Sequence, residues 1–328
     1  MSASGPATST PEQPTPSIEG HSVSEQILAS FRRAVRDHFR LHGRDLPWRR
    51  TWDPYKILVS EIMLQQTQVS RVLPKYQEFL TRFPDIYSLA EAPTAAVLET
   101  WLGLGYNRRA LNLQRTAQTV TAVHGGSLPR SPVILRTLPG IGPATAAAIA
   151  AFAYQIAVPF IETNIRSAFL HVFFPDRHQV PDADILPLVE ATLDRKDPRT
   201  WYYALMDYGA WLKKIGVNPS RASKHHSRQT PFAGSRRQLR SQIIRLFLLR
   251  TEWQDNLQTP TLSLFASGPP STGNADAKRP LTLDAEGVVE LLPAWDPEEV
   301  RTALRLLVDE GFLDHEAGYR LASIARSS

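Results

Sequence analysis

Apolar residues recur at helical spacing along most of this chain. The first apolar stripe consists of Ile27, Leu28, Phe31, Val35 and Phe39. Ser22 and Glu25 stand before it with the spacing of a capping box, and Gly43 follows it. The pattern therefore predicts an amphipathic helix that begins near Glu25 and ends near Gly43.

The same periodicity predicts further helices through the middle of the chain. Pro54 opens a predicted second helix that continues through Gln68, and another is predicted over residues 108–123. The shorter segments are separated by residues that break helices, namely Pro74, Pro84, Pro93 and Gly103-Leu104-Gly105. Convincing strand alternation is missing until the end of the chain. About ten short helices imply an all-α fold.

The last hundred residues have a different organisation. Residues 255–280 are rich in Pro, Gly, Ser and Thr and are predicted to form a linker or long loop. Two helices are predicted after it, over 283–292 and 297–310, and a hairpin turning at Gly318 ends the chain. Together with a helix starting at Ser235, this order predicts a small winged-helix-like unit.

Composition excludes several kinds of chemistry. The chain has 328 residues and no cysteine, which excludes disulfides, a cysteine nucleophile and cysteine-ligated iron–sulfur clusters. We also expect no metal site, because the adjacent His225 and His226 lack carboxylate partners nearby. With neither an 18-residue apolar run nor a signal peptide, we expect a cytoplasmic protein without membrane contact.

The modest net charge of +5 conceals a strong partition along the chain. Residues 208–251 contain 10 basic and no acidic groups, whereas residues 252–328 contain 6 basic and 13 acidic groups. The basic stretch is a candidate contact for a polyanion, and the alternative interpretation is a solvated basic face. The acidic C-terminal unit is predicted to avoid polyanions, and to dock on a protein partner or on the rest of this chain.

A Leu138-Pro139-Gly140-Ile141-Gly142-Pro143 segment stands between two predicted helices. Gly140 and Gly142 permit close backbone approach, and the helix predicted to start at Thr145 presents unpaired N–H groups to an anion. This is the helix-hairpin-helix signature, which grips a DNA phosphate without reading base sequence. The alternative interpretation is an ordinary glycine turn.

Two glutamates are candidates for catalytic carboxyls in opposite environments. Glu61 shares its helix face with Ile57, Leu58 and Leu64, so burial is expected to raise its pKa and suit it to general acid catalysis. Glu162 comes just before a predicted helix N-terminus, where the helix dipole favours the ionised form. The alternatives are a hydrogen-bonded buried glutamate for Glu61 and a capping acid for Glu162.

Four segments together resemble one family, and they are residues 60–69, residues 101–106, the Gly140 hairpin and residues 204–209. In this order they are similar to the helix-hairpin-helix DNA glycosylases, and most like the MutY adenine glycosylases. The resemblance covers roughly residues 24–232. It implies two helical domains, DNA binding, extrusion of a base from the stack and cleavage of its N-glycosidic bond.

The resemblance also implies roles for individual residues. Glu61 matches the family's catalytic glutamate, which protonates the departing base, and Glu162 stands where the family has its second carboxylate. The remaining matches face the DNA or the pocket: Gln65 and Gln66 at the gap left by the base, Tyr106 beside the DNA, and Asn164 in the active site. Trp48 and Arg49 are predicted to line the pocket mouth, and the alternative is a core Trp with a surface Arg.

Three departures from the family change the expected chemistry. Glu162 replaces an aspartate, which keeps the charge and adds one methylene. Ala144 stands where bifunctional members have a lysine, so we expect little or no lyase activity. The cluster cysteines are missing, and basic residues that we expect to contact phosphates occupy that region, namely Lys213, Lys214, Arg221 and Lys224. No cofactor is expected.

The domain prediction follows from these observations. Residues 1–20 form a disordered tail, 21–47 with 160–232 a clusterless helical domain, 48–159 a six-helix domain with the hairpin, and 233–328 the winged-helix-like unit. The predicted function is a monofunctional DNA glycosylase of base excision repair acting on lesion-containing or mismatched duplex DNA, first on adenine opposite oxidised guanine. The alternatives are a mismatched pyrimidine, an alkylated purine, or a non-catalytic DNA-binding protein.

Overall fold

The computed structural model describes residues 17–18, 21–225, 231–250, 282–315 and 318–322. Within them the helices are α1 Glu25–His42, α2 Pro54–Leu64, α3 Val69–Arg82, α4 Ile86–Glu91, α5 Thr94–Trp101, α6 Arg108–His124, α7 Pro132–Leu135, α8 Pro143–Tyr154, α9 Thr163–Phe173, α10 Asp182–Thr192, α11 Pro198–Lys214, α12 Arg236–Arg250, α13 Ala285–Glu290 and α14 Pro297–Asp309. Two short 3-10 helices are added at Pro47–Arg49 and Pro219–Ala222. The predicted helical fold class is confirmed.

Strands in this described part are confined to two antiparallel pairs. β1 Ser17–Ile18 pairs with β2 His21–Ser22, a contact that the apolar pattern did not predict. β3 Leu313–His315 pairs with β4 Tyr319–Leu321, as predicted for the C-terminal hairpin. No helix in the described ranges is both long enough and apolar enough to cross a membrane.

Several helix boundaries differ from the prediction for local reasons. Ser24, rather than Ser22, is the N-cap of α1, and its side chain makes no capping hydrogen bond, so the predicted capping box is wrong. α2 ends at Leu64 instead of Gln68, because the chain turns through a left-handed conformation at Gln66 (φ +54°). Pro74 lies inside α3 instead of separating two helices, at the expense of one backbone hydrogen bond.

The chain forms two compact units. Unit 1 comprises the described parts of Met1–Leu46 and Ala146–Ser227, and unit 2 comprises those of Pro47–Thr145 and Arg228–Ser328. The tail and linker predictions fall largely on residues 1–16 and 251–281, which lie outside the described residues. The predicted division into domains stays a prediction.

An aromatic cluster forms the core of unit 1. The Phe31 ring of α1 lies 4.9 Å from that of Phe169 and 5.1 Å from that of Phe173, both on α9. It also meets Trp201 of α11 edge-on at 6.2 Å. Edge-to-face contacts of this kind add to the burial of apolar area, so the predicted stripes of α1 and α9 share one core.

In unit 2, the C-terminal elements pack on the helices that precede the hairpin. Arg240 of α12 donates two hydrogen bonds to the Glu310 carboxylate at the end of α14. Arg115 of α6 donates to the Glu310 backbone oxygen at 3.0 Å. Leu283 exchanges two backbone hydrogen bonds with Tyr319 and extends the β3–β4 pair. One of these contacts, from Arg115, joins the C-terminal elements to α6, and the others hold those elements together. The predicted docking role and the winged-helix assignment stay predictions.

Candidate active site

Glu61 is the half-buried position in an otherwise buried segment of α2. Of residues 57–63, it alone is not fully buried, and Ile57 and Leu58 on its face are 1% and 0% exposed. A carboxyl at this position has apolar neighbours on its own helix face and limited access to water. That combination is the one a general acid requires.

A buried arginine that was not among the predicted site residues caps the helix that carries Glu61. Arg109 of α6 donates to the carbonyl oxygens of Ile62 and Met63, each at 2.9 Å, and to that of Gln65 at 2.5 Å. The carbonyls in the last turn of a helix have no intrahelical partner, and a cation there also opposes the negative end of the helix dipole. Arg109 therefore stabilises the end of α2 that follows Glu61.

The same guanidinium reaches a second loop. It donates to Thr67 Oγ1 and to the Gly105 carbonyl oxygen, both at 3.0 Å, and it lies 5.6 Å from the centre of the Tyr106 ring. Burial lowers the pKa of Arg109 to about 10, so the group remains a cation at neutral pH. The signal available in sequence was a single arginine on the buried face of α6, four residues before Leu113.

Gln65 and the hairpin, predicted separately, lie together. Gln65 Nε2 donates to Thr145 Oγ1 at 3.2 Å and approaches the Gly140 carbonyl oxygen at 3.5 Å. Gln66 is exposed in its left-handed turn. Strained backbone at a non-glycine residue is typical of functional positions.

The two hairpin glycines have different structural requirements. Gly140 has φ +75°, and a Cβ there would stand 2.8 Å from Asn112 Cβ. Gly142 has no positive φ, and a Cβ there would meet nothing within 4 Å. Only Gly140 therefore needs the conformational freedom predicted for both. α8 begins at Pro143, two residues before the predicted start at Thr145, and both glycines are exposed.

Tyr106 is held by the C-terminal elements. Its backbone is left-handed (φ +50°), and its hydroxyl accepts a hydrogen bond of 2.8 Å from Arg237 of α12. The Arg237 guanidinium also lies 5.6 Å from the centre of the ring. The ring remains 36% exposed, so Tyr106 keeps a solvent-facing surface beside two arginines.

Trp48 is a core residue rather than part of a pocket mouth. Its side chain is 3% exposed, and its ring meets Tyr76 edge-on at 5.3 Å. The core alternative considered for Trp48 is therefore correct, and the pocket-mouth prediction for it is wrong. Arg49 is half-buried, and its predicted role stays a prediction.

In unit 1, Glu162 is the N-cap of α9. Its Oε1 accepts hydrogen bonds from the backbone N–H groups of Asn164 at 2.7 Å and Ile165 at 2.8 Å. The capping alternative was therefore correct for Glu162. The carboxylate occupies the positive end of the helix dipole.

The predicted direction of the Glu162 pKa shift needs correction. Burial raises the pKa of Glu162, although the N–H groups of Asn164 and Ile165 and the charges of Lys213 and Arg166 act in the opposite direction. Desolvation penalises the charged form more than these partners favour it. From the sequence we had expected the helix terminus to lower the pKa of Glu162. The structure shows that this effect is outweighed by burial.

Asn164 connects Glu162 to the end of α11. Its Nδ2 approaches Glu162 Oε2 at 3.4 Å, and its Oδ1 accepts a hydrogen bond of 3.1 Å from Lys213 Nζ. The α9 and α11 backbones approach closely here, because a Cβ on Gly209 would stand 2.0 Å from the Asn164 oxygen. The structure thus brings together Glu162, Asn164 and Lys213.

The other basic residues of the predicted DNA contact remain at the surface. The side chains of Lys214, Arg221 and Lys224 are exposed. The Lys224 N–H donates to the Val180 oxygen at 3.0 Å, which fixes the course of the backbone there. Their phosphate contacts stay a prediction.

This region does not fit an iron–sulfur cluster. Such clusters are held by thiolates, whereas Lys213, Lys214 and Arg221 carry cations and the chain has no cysteine. Among the residues that the structure describes, no group of three His, Cys, Asp or Glu side chains stands where it could hold a metal ion.

Known DNA repair proteins are similar to this chain in sequence. Residues 59–185 match the family model of the HhH-GPD superfamily base excision DNA repair proteins. The adenine DNA glycosylase of Mycolicibacterium smegmatis is 37% identical over 226 residues, which are 63% of this chain and 76% of that protein. That of Mycobacterium tuberculosis is 42% identical over 156 residues, 47% of this chain and 49% of that protein.

One solved structure is similar in both fold and sequence. A thermostable thymine-DNA glycosylase superposes with a TM-score of 0.51 and 25% identity, covering 56% of this chain and 87% of that chain. The family resemblance and the assignment to the DNA N-glycosylases are confirmed. This chain belongs to the HhH-GPD superfamily of base excision DNA repair proteins.

Proposed function

We propose that this DNA glycosylase removes adenine from duplex DNA, with oxidised guanine as the opposite base. The adenine DNA glycosylases of two mycobacteria support the choice of base. In the reaction, the bond between adenine and C1′ of the deoxyribose breaks, and a water oxygen adds to C1′. The departing base takes up a proton, and an abasic site remains in the strand. The base must leave the stack first, because the duplex hides the reacting atoms.

Glu61 carries the proposal, since its carboxyl stands in a buried helix whose end is held by Arg109. As general acid, Glu61 donates the proton that makes adenine a better leaving group. Glu61→Gln keeps the size of the side chain and removes the proton. We expect base release to fall by about 10²–10⁴-fold while duplex affinity is retained. An unchanged rate would refute the assignment of the acid.

Glu162 supplies negative charge near the sugar in this proposal. Cleavage leaves positive charge on the deoxyribose, and a fixed carboxylate stabilises it without reorganising in the reaction. Two backbone N–H groups, those of Asn164 and Ile165, donate to one carboxyl oxygen of Glu162 and hold it in place.

The hairpin and its neighbours supply the grip on DNA. Exposed Gly140 and the first turn of α8 present backbone N–H groups to a phosphate, and Gln65 lies beside them. Contacts of this kind position the duplex without reading its sequence. Because duplex DNA is the proposed partner, we place the protein with the chromosome, which in a bacterial cell is the nucleoid.

We further propose that the enzyme does not cut the strand. A strand-cutting glycosylase needs an amine that forms a Schiff base with the sugar, and residue 144 is alanine. Borohydride trapping on an abasic duplex should therefore yield no covalent complex for the natural chain. Ala144→Lys restores the amine and serves as the positive control, and a trapped complex with the natural chain would contradict the proposal.

Thymine from a mismatch is the second candidate substrate. The similarity to a thermostable thymine-DNA glycosylase favours it, at 25% identity over 56% of this chain. A panel of duplexes containing adenine opposite oxidised guanine, adenine opposite guanine, thymine opposite guanine and an alkylated purine separates the candidates. Fastest release of adenine opposite oxidised guanine supports the proposal, and fastest release of thymine supports the second candidate. Binding without release of any base indicates a non-catalytic DNA-binding protein.

The C-terminal elements dock within the chain in this proposal and leave the DNA phosphates to the rest of the chain. The Glu310 carboxylate already takes two hydrogen bonds from Arg240. Two arginines of this region, Arg237 and Arg240, therefore have intramolecular partners. Pull-down of the chain with and without Glu299→Arg, which changes an exposed acidic residue of α14, tests whether a further protein binds the acidic surface of this region.

A further inference from the structure

Three side chains from two helices form a hydrogen-bonded series in unit 1. Lys213 Nζ, in the last turn of α11, donates to Asn164 Oδ1 at 3.1 Å. Asn164 in turn presents Nδ2 to Glu162 Oε2 at 3.4 Å and its backbone N–H to Glu162 Oε1 at 2.7 Å. The series runs from a surface cation to the capping carboxylate of α9.

The packing of α9 on α11 dictates this arrangement. Gly209 lies one turn before Lys213, and any larger residue at Gly209 would collide with the Asn164 backbone. A separation of four residues places Lys213 on the same face of α11 as Gly209. The lysine is thus carried to the N-terminus of α9 by a contact between backbones.

The bond from Lys213 also fixes the orientation of the Asn164 amide. An amide oxygen accepts and its nitrogen donates, so an ammonium group at Oδ1 leaves Nδ2 to face the carboxylate. The reverse orientation would place two donors together at Lys213 and two acceptors together at Glu162. The cation therefore selects the orientation that supports Glu162.

Two cations act on Glu162, and their situations differ. Arg166, on α9 itself, makes a bidentate ion pair with Asp182 of α10, at 2.7 and 2.6 Å. Lys213, from α11, donates its hydrogen bond to the neutral amide of Asn164. This hydrogen bond does not neutralise the positive charge of Lys213. The charge of His225 lowers the pKa of Asp182 rather than that of Glu162. Lys213 is therefore the stronger candidate for holding a negative charge at Glu162.

We propose that Lys213 is a positioning residue for catalysis, which orients Asn164 and holds the Glu162 carboxylate in its ionised form. This inference rests on the proposed role of Glu162 in stabilising charge on the sugar. It assigns Lys213 an intramolecular task in place of the phosphate contact predicted from the sequence. Burial raises the pKa of Glu162 and the Lys213 charge lowers it, so loss of Lys213 moves this carboxyl further toward the protonated form.

Titration of Glu162 tests the inference directly in the full chain. Carbon-13 NMR of labelled glutamate carboxyls follows Glu162, identified by the signal that Glu162→Gln removes. Lys213→Gln should move the titration midpoint of Glu162 to higher pH, whereas Lys213→Arg, which keeps the cation, should leave it close to the natural value. Lys196→Gln, an exposed lysine of the same unit, controls for the loss of one charge.

Activity gives the second readout. In single-turnover base release from the preferred duplex, Lys213→Gln should shift the acidic limb of the pH profile upward and lower the rate at acidic pH by about tenfold. The duplex dissociation constant should stay within about twofold, since no phosphate contact is lost. Melting curves establish that the variants fold. If Lys213→Gln does not fold, Asn164→Ser breaks the series at its middle and carries the same expected shift.

An unchanged titration midpoint in a folded Lys213→Gln variant overturns the inference. A second result also overturns it. In that case the Lys213→Gln variant binds the duplex more weakly, its salt dependence falls by about one phosphate contact, and its pH profile does not shift. Failure of the proposed function looks different. In that case the natural chain releases no base from any duplex, while the NMR titration still decides whether Lys213 controls Glu162.

Discussion

The Arg237 guanidinium donates a 2.8 Å hydrogen bond to the Tyr106 hydroxyl, from a residue 131 positions further along the chain. Arg237 belongs to α12, and Tyr106 belongs to the loop before α6. Arg109 approaches the same ring. A tyrosine that the family resemblance places beside DNA is thus supported by the C-terminal elements of the chain.

We expect Arg237→Gln to destabilise the protein by about 1 kcal/mol, because it removes the hydrogen bond and the cation–π contact with Tyr106. Urea unfolding measures the change, and Tyr106→Phe removes the hydroxyl while keeping the ring. In a double-mutant cycle the two changes should be non-additive. Arg245→Gln, an exposed arginine of the same helix, should leave the free energy of unfolding unchanged. Strict additivity would show that the pair does not interact.

Arg109→Lys should impair base release even though it keeps a positive charge. An ammonium group has three donors and no planar fork, so it cannot reproduce the bonds to Ile62, Met63, Gln65, Thr67 and Gly105. We expect about 2–3 kcal/mol of destabilisation, since carbonyls at the end of α2 lose their partner. Thermal melting and single-turnover rates measure both effects. A variant as stable as the natural chain would show that water replaces the guanidinium without loss.

The two hairpin glycines should respond differently to alanine. Gly140→Ala places a methyl group 2.8 Å from Asn112 and forces an L-residue into φ +75°, which should destabilise the hairpin by about 1–3 kcal/mol and weaken duplex binding. Gly142→Ala meets nothing within 4 Å, so the melting temperature should not fall. Melting curves and fluorescence anisotropy with a labelled duplex measure the difference. Equal loss of stability in both variants would contradict the assigned backbone requirement.

Glu162→Gln should increase stability at neutral pH while it removes activity. Because its folded pKa is raised, Glu162 favours folding at acidic pH, and this contribution is lost as the pH rises from the ordinary glutamate value through the raised one. Glutamine keeps an acceptor for the N–H groups of Asn164 and Ile165 and never ionises. We expect the melting temperature at pH 7.5 to rise by about 2–4 °C, and the difference to vanish at acidic pH. If Glu162→Gln lowers the melting temperature at both pH values, the prediction is wrong, and the ionised Glu162 cap stabilises the fold.

Local features of the sequence predicted much of the candidate site. The periodicity around Glu61 identified its buried helix face, and the prolines and glycines of the hairpin predicted a turn before α8. The position of Glu162 before an apolar stripe predicted a helix terminus. Each of these follows from residues within a few positions, where helix geometry alone decides which side chains share a face.

Other properties depended on partners far along the chain. Trp48 became a core residue because Tyr76 packs on it, and Arg109 became a helix cap because α6 passes the end of α2. The direction of the Glu162 pKa was decided by desolvation, which a local pattern does not report.

Patterns in the sequence were enough to predict the helical fold class, the family, and the segments that hold Glu61, Glu162 and Gly140. The packing of the folded chain is what pairs Lys213 with Asn164, and Arg237 with Tyr106, by hydrogen bonds. The physical reason is that apolar periodicity specifies which face of a helix is buried without specifying its neighbour. A charged or polar side chain takes the partner that packing brings within hydrogen-bonding distance, and that partner is set by the fold as a whole.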